Sequence, residues 1–327
     1  IMSGALEGRA PILLDRNAKL GDFLQLNNNP RIIYELRPNL SFFFVGVPVE
    51  INRMGFRGRD YAFNKKQGTI RIVGLGDSVM FGWGVSNECT YLSLLEDRLN
   101  REHPKTRWEV INTAVPGYNT AIEVAVLQEK GLKYKPDLVL LNFVGNDMGL
   151  PGFVRPPQKY FSLSKSFLLS FLRTQSRYIR QKRNALESAV HPRHSQTATD
   201  FGEEYFEVPE EYHELVGWNA FERAMTTLQH LSCKHGFRVL VVYYGDTMPE
   251  RVRNLCISLG MDYLEPFPDY LFANQLPRYF DSPLCLDRKD PHPSALGHEV
   301  GAEAIYIHLL TNGIIAALER STAPNNH

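Results

Sequence analysis

Net charge is the first thing this chain lacks: 36 Lys and Arg stand against 36 Asp and Glu. No overall field draws nucleic acid, an anionic membrane or an acidic polymer, so nucleic acid is not an expected partner and any such preference needs a local patch. Cysteine is scarce. Cys89, Cys233, Cys256 and Cys285 are far apart in sequence, which excludes a disulfide framework or metal-ligand spacing and leaves free thiols as the expectation. No apolar run reaches the length of a bilayer span, so no integral membrane segment is expected. The first residues also lack the basic, then apolar, then small-residue layout of a signal peptide. A start at Ile1 rather than methionine is compatible with export after removal of a targeting segment, and location is otherwise left open. What is present is ordinary globular material: 327 residues, 43% hydrophobic and 22% charged, suffice for one large core with appendages.

The chain is organised around Arg71-Ile72-Val73-Gly74-Leu75-Gly76-Asp77-Ser78, where a short apolar run rich in β-branched residues stops at Gly-Asp-Ser. It reads as a buried parallel strand delivering a serine to its carboxyl end. Before it, residues 1–27 read as an N-terminal tail with one short helix, and 28–68 as a small β appendage in which Val47-Pro48-Val49-Glu50-Ile51 alternates like an edge strand. After it the elements alternate. Thr90 caps a helix with Leu92, Leu95 and Leu99 on one face; Trp108 to Val115 is a strand; Thr120-Ala121-Ile122-Glu123 is a capping-box pattern opening a helix; Leu138 to Val144 is a strand. An insertion, 150–216, interrupts the rhythm; Phe167, Leu168, Phe171 and Leu172 recur there at helical spacing, with Arg173, Arg177 and Arg180 on another, solvated face. Then follow a helix from Trp218 to His235, a strand from Arg238 to Tyr244, a helix near Arg251 to Leu259, a short strand Asp262 to Glu265, and one last helix from Ser294 to Leu318. This alternation predicts an α/β core over 69–320 with a parallel sheet of about five strands and right-handed crossovers, before a C-terminal tail at 321–327.

In a parallel sheet the carboxyl ends of the strands share one rim. Ser78, Gly117 in Val115-Pro116-Gly117-Tyr118-Asn119, Asn146 in Val144-Gly145-Asn146-Asp147, and Asp290-Pro291-His292-Pro293 therefore converge although the sequence scatters them. Those residue types suffice for acyl transfer. A serine hydroxyl is a poor nucleophile until a base accepts its proton; His292 is the side-chain type that titrates near neutrality, and Asp290 fixes its tautomer. Ser78 N–H, a closely approaching Gly117 N–H and the Asn146 amide supply a three-point oxyanion hole. No metal or organic cofactor is required. Asp77 and Asp147 read as braces of their turns; Phe81, Trp83 and Tyr118 are as readily core as pocket lining; His298 reads as unrelated to catalysis, and His191 with His194 resembles a metal pair only weakly.

These four separated motifs, in this order, resemble the SGNH hydrolase, or GDSL-like lipase and esterase, family across roughly 70–150 and 216–320. The resemblance implies a three-layer α/β/α sandwich of flavodoxin-like kind and, by matching position, Ser78, Gly117, Asn146 and His292 as the site, with Asp290 completing the triad. The sequence departs from the pattern twice: Val144 stands where the third motif has glycine, and only Pro291 separates Asp290 from His292, with Lys289 at the usual aspartate position. The implied function is a serine esterase acting on a small-molecule or glycan ester, with a short acyl or O-acetyl group. The alternatives are an O-acyltransferase using the same triad and a non-catalytic carbohydrate- or partner-binding module. A metallophosphoesterase fails for want of an Asp-x-His before Gly76, and an α/β-hydrolase elbow fails because Met80 replaces its second glycine.

Overall fold

The computed structural model of the chain describes residues 12–150, 210–287 and 289–322. The chain divides into two compact units, 1–150 with 215–327 and 151–214, and the account below concerns the first. The helical face at Phe167 to Arg180 and the pair His191 and His194 lie outside the described residues, as do most of the insertion and residues 1–11 and 323–327.

The N-terminal part is strand-rich: β1 (Ile12–Asn17), α1 (Leu20–Phe23), β2 (Leu24–Leu26), β3 (Tyr34–Leu36), β4 (Leu40–Phe44) and β5 (Val47–Ile51). Strand structure is thus present from residue 12 onward, inside the stretch read as a tail. The reason is Phe23, which is fully buried and stacks on Phe42 with ring centroids 4.7 Å apart. β4 lies between β1 and β5, and β2 pairs with β3. Pro48 sits in β5 at the edge of its sheet, where a missing N–H costs no ladder bond.

The main sheet begins with β6 (Thr69–Leu75), all seven residues of which are buried, as a strand covered on both faces requires. There follow α2 (Ser78–Phe81), α3 (Tyr91–Glu102), β7 (Arg107–Asn112), α4 (Thr120–Glu129), β8 (Leu138–Phe143), α5 (Gly217–His235), β9 (Arg238–Tyr243), α6 (Glu250–Ser258), β10 (Asp262–Leu264), α7 (Pro268–Ala273), α8 (Ala295–Thr311) and α9 (Ile314–Thr322). The five strands pair in parallel in the order β10-β9-β8-β6-β7. Numbered by appearance this is 2-1-3-4-5, the flavodoxin-like order. From β6 the chain steps one way to β7 and then the other way to β8, β9 and β10. Right-handed crossovers therefore put α3 on one face and the later crossover helices on the other. Accordingly α3 packs on α8, and α4 on α5, giving three layers.

Two local readings are corrected. The cap of α4 is Asn119, whose side chain accepts from Ile122 N–H; Glu123 does not close a capping box but points into the core, 1% exposed. The single last helix is two, α8 and α9, bent by 69° at Asn312-Gly313, because Gly313 takes the left-handed conformation (φ +66°). Among the described residues no single helix is long and apolar enough to cross a membrane.

Candidate active site

The strand order reverses between β6 and β8, and in open α/β sheets the crevice outside such a reversal is where ligands bind. Ser78 follows β6 and Asn146 follows β8, so both stand at that crevice. The turn delivering Ser78 is tight. A Cβ on Gly76 would lie 2.5 Å from the Met80 Cβ and 3.1 Å from the Asn142 Cβ, so only glycine lets the strand end pass so close to its neighbours. Asp77 caps α2, its carboxylate accepting from Val79 N–H at 2.9 Å.

His292 arrives from the loop before α8. Its Nε2 is 2.8 Å from Ser78 Oγ, and its Nδ1 is 2.5 Å from Asp290 Oδ1. A carboxylate only accepts, so the imidazole proton sits on Nδ1 and Nε2 presents a lone pair to the serine hydroxyl. Asp77 Oδ2, at 3.3 Å, is the more distant alternative acceptor for that hydroxyl. One intervening residue is therefore enough for an aspartate to reach the ring: Asp290 also accepts from the His292 backbone N–H at 3.2 Å, and Asp287 turns the loop by accepting from Asp290 N–H at 2.9 Å.

Ser78, His292 and Asn146 line a pocket of about 260 Å³ whose apolar wall includes Val144, Tyr244, Tyr279 and Phe280. The Asn146 amide is exposed and gives one N–H to Asp77 Oδ2 at 3.4 Å, which leaves its second donor for the pocket. Gly117 occupies the turn after β7 with φ +82°, and is not among the residues lining the pocket. A larger cavity of about 620 Å³, beside α7 and α8, is lined by His308 but by no serine or cysteine. Among the described residues no cluster of His, Cys, Asp or Glu has the makings of a metal site.

Three buried carboxyls lie behind the site. Burial raises Asp77, against the pull of Val79 N–H and His292. Burial, then repulsion from Asp147 and Asp77, holds Glu123 well above the usual carboxylate range; Asp147 is raised likewise, and it braces its turn by accepting from Val144 N–H at 3.0 Å. Fully buried His298 is held neutral, burial pushing it down to about 3, and its Nδ1 accepts from Tyr91 N–H at 3.2 Å. Because the unfolded histidine titrates near 6.5, the unfolded chain takes up this proton first as pH falls, so the His298 contribution to stability is complete above about 6.5 and lost toward about 3. In His298→Asn, whose carbonyl can replace Nδ1, that loss is expected to vanish. The gap in unfolding free energy between wild type and variant should shrink by up to about 1.4 kcal/mol per pH unit below 6.5. Parallel stability curves from pH 7 to 4 would refute it.

Of the aromatic residues beside the strand ends, Phe81 and Tyr118 are core; the Tyr118 hydroxyl donates to Tyr34 O while the Tyr34 hydroxyl donates to Pro116 O. Trp83 is neither core nor pocket wall. Its indole lies flat on His292 and donates to Asp290, a contact spanning 207 positions that no local pattern announces. Tyr279 and Phe280, which the sequence reading did not single out, form part of the pocket wall.

A family model, GDSL-like lipase/acylhydrolase, matches residues 75–300. Solved structures with a similar chain path include TesA, 14% identical with a TM-score of 0.43, covering 73% of this chain and 97% of TesA. The acetyl xylan esterase AlAXEase is 16% identical with a TM-score of 0.44, over 73% of this chain and 100% of the other. LAE5, an α/β hydrolase enzyme from the metagenome of Lake Arreo, Spain, is 18% identical with a TM-score of 0.43, over 75% and 96%. No curated protein matches the chain at a significant level.

Proposed function

The chain belongs to the GDSL-like lipase/acylhydrolase family, and on that premise we propose that it is a serine esterase removing a short acyl or acetyl group from a small-molecule or glycan alcohol. The observation that supports this is the hydrogen-bonded chain from Ser78 through His292 to Asp290 at the mouth of a small pocket. Ser78 Oγ attacks the ester carbonyl carbon as His292 Nε2 takes its proton; Asp290 holds the imidazolium. The carbonyl oxygen becomes an oxyanion facing Ser78 N–H and the Asn146 amide; Gly117 N–H, outside the pocket lining, is not counted among its donors. When the intermediate collapses, the bond to the alcohol breaks and His292 returns the proton to the leaving oxygen. Water, deprotonated by the same Nε2, then releases the acid and restores Ser78.

The small pocket supports the short-acyl reading: about 260 Å³ falls below the roughly 300–1,000 Å³ of drug-sized ligand sites. Turnover of p-nitrophenyl esters is therefore expected to fall from acetate through butyrate to octanoate, with acetate release from acetylated xylan as the glycan arm. A rate rising with chain length would overturn the short-acyl reading, and transfer of the acyl group to an added sugar rather than to water would make the protein an acyltransferase. A fluorophosphonate should label Ser78, mapped by mass spectrometry. For the oxyanion role, Asn146→Ala is expected to lower kcat by about 10²–10³ with KM little changed. A change of a few fold would remove Asn146 from that role.

A further inference from the structure

The catalytic reading leaves Trp83 without a task, yet its side chain touches both members of the acid–base pair. Its Nε1–H donates to Asp290 Oδ2 at 3.2 Å, while Asp290 Oδ1 is occupied by His292. The two carboxylate oxygens are thus shared between indole and imidazole, which fixes the plane of the carboxylate. The same indole stacks on the His292 ring, with centroids 4.8 Å apart and planes within 12°.

The N-terminal region holds the indole in turn. Phe44 of β4, buried, sets its edge against Trp83 at 4.6 Å and 82°. Arg57, 4% exposed, binds the segment that carries Trp83: Nη1 donates to Phe81 O and Gly82 O and Nη2 to Val85 O, each at 2.5 Å, and Nε donates to Asn87 Oδ1 at 2.8 Å. Burial pushes the Arg57 guanidinium down to about 9, so it remains charged at neutral pH. A buried cation placed on carbonyl oxygens is costly unless those bonds are all made, so the segment is tied to one geometry.

We propose that Trp83 is a positioning residue for the Asp290–His292 pair, held in place by Phe44 of β4 and by Arg57 of the segment that follows β5, so that the N-terminal region is part of the catalytic apparatus rather than an appendage. The inference rests on the esterase reading of Ser78, His292 and Asp290. An aspartate only two positions from its histidine has little backbone between them to orient its carboxylate; the indole N–H supplies that orientation, and its π face stabilises the imidazolium formed during each proton transfer.

The test compares Trp83→Phe, which keeps a ring but loses the donor, with Trp83→Ala, which loses both. Expected are losses in kcat of roughly 10-fold and 100-fold, with KM within about twofold and the fold retained by circular dichroism. Phe44→Leu should lower kcat in the wild-type background but add little to Trp83→Phe, since it acts through the same ring. A spectroscopic arm reads the stack without activity. A protonated imidazole quenches an indole it touches, so acidification should dim the fluorescence of wild type, and that component should be absent from both His292→Asn and Trp83→Phe. Full activity in Ser78→Ala would overturn the esterase reading and this proposal together. An inactive Ser78→Ala beside a Trp83→Phe with wild-type kcat, or a Trp83-dependent acid quench that survives in His292→Asn, would overturn the proposal alone; quenching of Trp108 by the nearby His103 is common to all the variants and cancels.

Discussion

Ser78→Ala is expected to lower kcat for p-nitrophenyl acetate by about 10⁴- to 10⁶-fold while leaving circular dichroism and thermal midpoint close to wild type. The size follows from the geometry. Ser78 Oγ is the oxygen 2.8 Å from His292 Nε2, and without it the base has no covalent nucleophile to activate. His292→Ala should cost about as much, and the double variant little more than either alone, because the two act on one proton. That failure to add is the diagnostic outcome. Independent, multiplicative losses, or an inactive His292→Ala beside an active Ser78→Ala, would point to a water-attacking mechanism and sink the acyl-enzyme.

The largest effect on stability is expected at Arg71. Its side chain is 1% exposed within β6, and the guanidinium donates to Glu109 Oε2 at 2.7 Å, Ala62 O at 2.6 Å, Tyr134 O at 2.9 Å and Phe63 O at 3.1 Å. Arg71→Met keeps the apolar stem but leaves those acceptors unpaired. Among the described residues Glu109, 7% exposed, then retains as its paired cation Arg107, whose own side chain is 57% exposed. Removing one partner of a buried ion pair costs about 3–5 kcal/mol, which at about 1.5 °C per kcal/mol for a chain of this size lowers the thermal midpoint by roughly 4–7 °C. Adding Glu109→Leu should recover part of the loss by removing the stranded charge, though not the carbonyl bonds. A midpoint within 2 °C of wild type in the single variant would show that water replaces the guanidinium without penalty.

The two effects mark what is local and what is not. Arg71 stands in a strand that periodicity identified, but its apolar neighbours gave no sign that an arginine there would be buried, because its acceptors come from residues 62, 63, 109 and 134. Thr90 and Leu92, Leu95 and Leu99 were legible because capping and face selection act within a turn or two of helix. The capping box at Thr120 misled for the same reason: the pattern is local, but Asn119 competes for the same N–H groups and wins, freeing Glu123 for the core. Gly313 could have been suspected as a break in the last helix, yet glycine within helices is tolerated often enough that only the bent backbone decides.

By itself, then, the sequence determined the alternation of strands and helices, the parallel sheet of five strands, and the family to which the chain belongs. Each of these depends on residue type at short range or on motifs whose order survives folding. Only the tertiary structure decided that an aspartate two positions before His292 reaches its ring, that Trp83 lies on that ring, and that Phe44 and Arg57 reach across to hold it. Those contacts join strand ends to loops far apart along the chain. Their energies depend on distance in space and on exclusion of water, and neither is encoded in the spacing of residues along the chain.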